Sequence, residues 1–253
     1  VFDVRQDASS AHNGLPAQLN SPVEVARVSD VVLIAVLTAE QVENVLTGVD
    51  GLLTEANPGL VVVLLSTVSL GAVRYLGAIC ANRGAVLLDA GVSGGATAYE
   101  NGLTVMIGGA DDDVERAMPV LNGFAKAVVH CGPLGAGMVA KLAKNVVTYS
   151  SWGVLREAAL LAIAGGVSLE RFLEVLDQGA DFGTDPLVWL RIKQAGAQVP
   201  DDVLAPFERI AEKDLSAIQE LASELAAGIP ITTVVRPQIG DIYHGRSSST
   251  IPS

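Results

Sequence analysis

GPLGAGMVAKLAKNVVTYSSWGVLREAALLAIA, Gly132 to Ala164, divides the chain into two kinds of sequence. Strand-like runs alternate with helix-like runs before it, and only helical patterns follow it. The stretch itself reads as a glycine-punctuated lead into a helix of roughly seven turns. Most of its faces are apolar, which predicts burial nearly all round. The exceptions, Lys141, Asn145, Thr148 and Trp152, recur at spacings of four, three and four and therefore share one face. An ammonium and an amide turned towards a protein interior cost free energy unless something there uses them. That face is the candidate chemical site.

Upstream, Asp30 leads into VVLIAVL, an unbroken apolar run of the kind a parallel strand covered on both faces requires. LVVVLLS (Leu60 to Ser66), AVLLDA (Ala85 to Ala90), LTVMIGG and AVVHCG repeat the signal. Between them lie helical patterns: Val23 to Val28 behind Ser21-Pro22, then about Ala39 to Leu46, Ser69 to Asn82 and Asp112 to Phe124. Strands alternating with helices predict a parallel sheet with helices on both sides. Downstream the pattern predicts helices near Ser168 to Leu176, Pro186 to Gln194, Leu204 to Glu224 and Thr233 to His244, before a frayed tail. The expected division is an α/β domain over residues 1–135 and an all-α domain over 136–253 that begins with the long helix.

VFDVR, at the start, reads as a buried strand ending in polar residues. A buried strand without a neighbour leaves amides and carbonyls unpaired, so roughly 25 to 30 further N-terminal residues with a strand and a glycine-rich turn are expected to precede it.

The chain has 253 residues, half of them hydrophobic, and a formal net charge of −12. That length buries a sizeable core, and no uncharged apolar run reaches the roughly 18 residues of a membrane-spanning helix. The acidic balance repels phosphate backbones and anionic lipid, so neither nucleic acid nor membrane is an expected partner. Two separated cysteines, Cys80 and Cys131, suggest neither a disulfide framework nor zinc and fit a reducing cytoplasm. His12, His130 and His244 lie far apart without metal spacing and read as structural.

Three segments carry a family resemblance over essentially the whole chain: DAGVSGGATAYENGLTVMIGG (Asp89 to Gly109), GPLGAGMVAKLAKN (Gly132 to Asn145) and EKDLSA (Glu212 to Ala217). In order and separation they resemble the β-hydroxyacid dehydrogenases, which include 3-hydroxyisobutyrate dehydrogenase and tartronate semialdehyde reductase. The resemblance implies a Rossmann-type NAD or NADP domain lacking its first βα unit here, and a C-terminal domain like that of 6-phosphogluconate dehydrogenase. It further implies a small β-hydroxy acid as the carboxylate substrate and a homodimer or homotetramer.

Read locally, Ser93-Gly94-Gly95 is a strand-to-helix turn whose amides and hydroxyl can approach a carboxylate; by resemblance it is the substrate-carboxylate loop. Lys141 matches the family's acid/base, and Asn145 the asparagine that binds substrate and places the lysine. Alone, Lys141 would be a solvated helix lysine. Thr67 matches a contact to the nicotinamide ribose, Val36 and Leu37 flank the cofactor, and Lys213 matches the lysine that reaches the dinucleotide. Asp3 can accept from ribose hydroxyls, whereas Arg5 could bind a 2′-phosphate; NAD is favoured over NADP. Two positions depart from the pattern. Gly91 stands where the family usually has proline, and Lys144 where it often has asparagine. Imine reductases are similar in fold but usually carry aspartate or tyrosine in place of the lysine, so Lys141 argues against them. A cofactor-free scaffold is the non-enzymatic alternative.

Overall fold

The structure, a computed structural model, describes residues 1–5, 8, 18–55, 58–94, 98–178 and 200–244. The expected helix over Pro186 to Gln194 lies outside the described residues. The chain divides into two compact units, Val1–Val146 and Val147–Ser253. The division falls after the first eleven residues of the long helix, and the expected boundary after residue 135 lies at that helix's start.

The first unit is built on five strands: β1 (Val31–Ile34), β2 (Val61–Leu64), β3 (Val86–Ser93), β4 (Leu103–Gly108) and β5 (Ala125–Gly132), in that spatial order. α1 (Pro22–Arg27) precedes them, and α2 (Ala39–Thr47), α3 (Leu70–Ala81), α4 (Ala98–Asn101) and α5 (Asp111–Leu121) connect them. Their starts follow the sequence. Ser21 caps α1 with Pro22 in its first turn, and Thr38 and Gln41 form a reciprocal capping box on α2. β2 is buried along its whole length, because Val62 and Leu64 pack into one hydrophobic layer while Val61 and Val63 pack into the other. Successive side chains of a strand point to opposite faces, so a strand covered on both sides must be apolar throughout.

One pairing departs from the expected parallel sheet: β3 and β4 run antiparallel, with Gly91 opposite Met106. A parallel return needs a crossover of a dozen or more residues, and only nine separate Ser93 from Leu103. The other three pairings are parallel. Val1 to Arg5 form no strand, contrary to their apolar pattern. The Leu19 N–H donates to the Val1 carbonyl at 2.8 Å, and the Gln18 amide donates to the carbonyls of Asp3 and Arg5. Those carbonyls are therefore used outside any ladder, and Val4 faces solvent.

α6 (Ala136–Ala164) begins in the first unit and continues into the second. It is not buried nearly all round: Val139, Leu142, Val146, Trp152, Leu155 and Ile163 are exposed. The second unit adds α7 (Leu169–Gln178), α8 (Asp201–Glu224), α9 (Pro230–Val235), a 3-10 turn (Arg236–Gln238) and α10 (Ile239–His244). The single helix expected over Thr233 to His244 is interrupted where Pro237 removes a backbone donor. Among the described residues the second unit contains no strand, and no helix is long and apolar enough to cross a membrane.

Candidate active site

β3 and the first turns of α6 form the centre of the site. Asp89 lies in the middle of an apolar strand and is fully buried. Its Oδ1 accepts the Gly135 N–H at 2.6 Å and its Oδ2 the Met138 N–H at 2.5 Å. The first amides of a helix have no partner within it, so this carboxylate caps α6 from a neighbouring element. Burial pushes the Asp89 carboxyl above its ordinary range, while the two amide bonds pull it back. Asp89 was not singled out from the sequence. A lone carboxylate inside AVLLDA was the available signal, but its partners lie 46 and 49 residues away.

Beyond the cap, helix backbone lies directly against strand backbone. A β-carbon at Gly137 would sit 2.6 Å from the Asp89 carbonyl oxygen and 2.8 Å from the Gly108 nitrogen. Gly137, Lys141 and Asn145 follow at intervals of four and share one helix face. Asp89, Gly91 and Ser93 alternate along one face of β3. The two rows run side by side: Asp89 meets Gly135 and Met138, and Gly91 meets the Lys141 stem. One helical turn rises about 5.4 Å and two strand residues about 6.7 Å. The next step therefore places Ser93 near the level of Asn145.

Lys141 and Asn145 are half-buried, as are Ser93 and Gly94. Partial burial draws the Lys141 ammonium below its ordinary pKa, and the like charge of Lys144, one turn on, adds to the effect. Gly95 lies outside the described residues.

The carboxyl ends of β1 and β2 carry the other expected residues of this unit. Ser66 Oγ accepts the Val36 N–H at 2.8 Å, and Gln41 Oε1 accepts the Leu37 N–H at 2.9 Å. These bonds fix the turn after β1. Leu37 and Thr67 are exposed there, an apolar surface beside a free-facing hydroxyl at the position where doubly wound sheets hold their ligands. The residues present fit a nicotinamide dinucleotide. Ser66 is the addition here, unremarked in the sequence because its partner lies 30 residues earlier.

Asp3 and Arg5, opposing signals for the cofactor's ribose, bind each other. The Arg5 guanidinium reaches Asp3 at 3.0 and 3.2 Å, and the Arg5 N–H at 2.9 Å. These bonds hold the Asp3 carboxyl down at about 2. In the second unit Lys213 is exposed on α8 and pairs with Asp214 at 3.1 Å. Thr148 and Trp152 belong to that unit as well; Trp152 is exposed and packs edge-on against Tyr149.

His130 has a structural role: its ring lies 2.9 Å from the Gly109 carbonyl and 3.3 Å from Asp111. His244 sits between Asp201 and Glu208, and His12 lies outside the described residues. No group of metal-ligating side chains occurs among the described residues. Both cysteines are free, and burial pushes the Cys80 thiol up to about 11.

Residues 1–132 match the NAD-binding domain of 6-phosphogluconate dehydrogenase. The chain belongs to the β-hydroxyacid dehydrogenase family. An oxidoreductase of Mycobacterium tuberculosis is 32% identical over 237 residues, spanning 91% of this chain and 80% of its own. The NAD-dependent L-serine dehydrogenase of Pseudomonas aeruginosa is 30% identical over 239 residues, 91% of this chain and 79% of its own. The crystal structure of an oxidoreductase from Mycobacterium avium superposes with a TM-score of 0.81 at 27% identity, covering 96% of this chain and 88% of that one. An imine reductase from Pseudomonas sp. shares the fold at a TM-score of 0.68 and 15% identity, over 88% of this chain and 77% of that one. This family member is thus an oxidoreductase with an NAD-binding domain followed by a helical region, and NADP remains allowed by the same fold.

Proposed function

We propose that this β-hydroxyacid dehydrogenase oxidises a small β-hydroxy acid of the 3-hydroxyisobutyrate type, with Lys141 as the acid/base. One observation carries the reading: Lys141 lies on the one face of α6 that meets β3, half-buried and with its pKa depressed. A lysine so placed gives up its proton more readily than a fully solvated one, as an acid/base must.

A nicotinamide held there would supply the hydride acceptor for oxidation at the hydroxyl-bearing carbon and the hydride donor for the reverse reaction. Lys141 Nζ, when neutral, takes the hydroxyl proton; when charged, it protonates the carbonyl oxygen in the reverse direction. Asn145, one turn on, orients substrate and lysine through its amide. The Ser93 hydroxyl and the amides of Gly94 and Gly95 hold the substrate carboxylate. Val36, Leu37 and Thr67 contact the nicotinamide half of the cofactor, Asp3 its adenine ribose and Lys213 the dinucleotide. The first 135 residues serve as the dinucleotide domain, and residues 136–253 provide substrate contacts and self-association in the cytoplasm. The Pseudomonas aeruginosa relative, named for L-serine, makes that hydroxy acid the first substrate to test.

Lys141→Ala should lower turnover by roughly 10²- to 10⁴-fold and leave NADH affinity nearly unchanged. Lys141→Arg should fail as well, because a guanidinium does not release its proton near neutrality. Near-wild-type turnover of the alanine variant would overturn the assignment. In wild type, oxidation should gain and reduction should lose rate as pH rises through the depressed lysine pKa. Calorimetric titration with NADH and NADPH tests the cofactor preference, with NADH expected to bind more tightly.

A further inference from the structure

Gly91 is buried on β3, and its φ is not in the left-handed region. Alanine could adopt its backbone conformation, so conformation does not require glycine here. Space does. A β-carbon at residue 91 would fall on Lys141 Cβ, 2.8 Å from its Cγ and 3.4 Å from the Gly137 carbonyl oxygen. Those atoms are helix backbone and the root of a side chain, neither of which is a flexible end that could swing away. Any residue with a β-carbon, including the proline usual in this family, therefore requires a wider separation of β3 and α6 at this level.

We infer that Gly91 is a positioning residue for Lys141: by lacking a side chain it lets the lysine stem lie across the β3 backbone, which sets how far the ammonium is withdrawn from water and where it stands along the row that ends at Ser93. The inference rests on the reading of Lys141 as the acid/base. The two ends of the device are independent. Asp89 fixes where α6 starts, through the amides of Gly135 and Met138, and Gly91 fixes how closely the helix lies one turn later. Titratable groups linked to this contact by a bond or by charge lie on three elements. They are Asp89 on β3, bonded to the helix amides; Cys131 at the end of β5, whose thiol Asp89 and burial both push up; and Lys144 on α6 itself.

The experiment is Gly91→Ala in the full chain, with kcat measured against pH in both directions and NADH affinity measured by calorimetry. The expected result is a loss of about 10-fold or more in kcat with NADH affinity within about twofold. The lysine-linked limb of both profiles should also move to higher pH by about half a unit or more, because a displaced ammonium is better hydrated. A purely structural role would lower the yield of folded enzyme without moving that limb. Unchanged kcat with an unmoved limb overturns the inference.

If Gly91→Ala does not fold, the same substitution is made in Lys141→Gly, which removes the Cβ and Cγ that the new methyl would strike. Thermal unfolding should then show a cost less than half that in the lysine background, with the folded fraction restored. An equal cost in both backgrounds overturns the inference. Loss of activity in Lys141→Ala together with a normal Gly91→Ala profile would sink this inference alone. Retained activity in Lys141→Ala would instead remove the acid/base reading beneath it.

Discussion

Asp89 in the first unit and Glu157 in the second make the same kind of contact in different surroundings. Each is a buried carboxylate that binds the free amides at the start of a helix on another element. Glu157, on α6, accepts from the Ile231 and Thr232 amides and the Thr232 hydroxyl, at 2.6 to 3.2 Å. Its partners are only half-buried, however, whereas Gly135 and Met138 are buried. The wider setting differs in the same sense. The first unit encloses two apolar layers around its sheet. Among the described residues of the second, the buried apolar side chains are Ala222 and Ile229, while Leu160, Ile163, Leu173, Phe207 and Ile210 are exposed. The same bond should therefore matter more where water cannot replace it. It does so beneath the helix that carries Lys141.

The largest expected effect tests that difference directly. Asp89→Ala leaves two amides without a partner in a dry site, at about 1 to 3 kcal/mol each. A loss of about 3 to 5 kcal/mol lowers the melting temperature by roughly 6 to 20 °C in a chain of this size. Glu157→Ala exposes its amides to water and should cost only about 1 to 2 kcal/mol, a few degrees. Calorimetric scans of the two variants that showed equal losses would break the comparison.

The contrast in burial predicts self-association as the next effect. Large apolar side chains are exposed on α6, α7 and α8, a kind of surface that contacts between proteins cover. A second copy of the chain is the proposed occupant. Light scattering at micromolar concentration should give a dimer or tetramer, with a melting temperature that rises with concentration. Ile163→Glu should weaken the association and lower the melting temperature by a degree or two at fixed concentration. A strict monomer counts against the proposal.

How much of this was legible in the sequence depended on how local each signal is. Apolar runs such as VVLIAVL and caps such as Ser21-Pro22 act over a few residues, and the strands and helices they announce are present. That Lys141 and Asn145 share a helix face was legible for the same reason, because a spacing of four marks one face. Strand direction is not local. The apolar pattern of LTVMIGG is the same for either direction, and the nine-residue connection was the signal that decided it. VFDVR has the composition of a strand, but a strand also needs a ladder partner, which composition cannot supply. The contacts of Asp89 and Gly91 were not legible because each acts on a helix some 50 residues later. In the sequence, Gly91 was only a departure from a family pattern; beside Lys141 it has a physical cause.

The smallest expected effect lies at the end of α8, in the less enclosed unit. Ala226 has a φ of 50°, and it is the non-glycine residue with a positive φ among those described. It follows the helix C-cap Leu225, and the Ala227 N–H donates back to the Ala222 carbonyl at 2.8 Å. This is the wrap that closes a helix through one left-handed residue, a place usually taken by glycine. A β-carbon in that conformation costs roughly 1 to 2 kcal/mol, partly offset because glycine loses more entropy on folding. Ala226→Gly should therefore stabilise by about 0.5 to 1 kcal/mol and raise the melting temperature by roughly 1 to 4 °C. Ala226→Val, branched at the strained carbon, should lower it. If the glycine variant melts lower than wild type, the left-handed cap is not the conformation that limits this end of the helix. If it raises the melting temperature while Glu157→Ala leaves it unchanged, the second unit is held more by how its helices end than by its buried carboxylate.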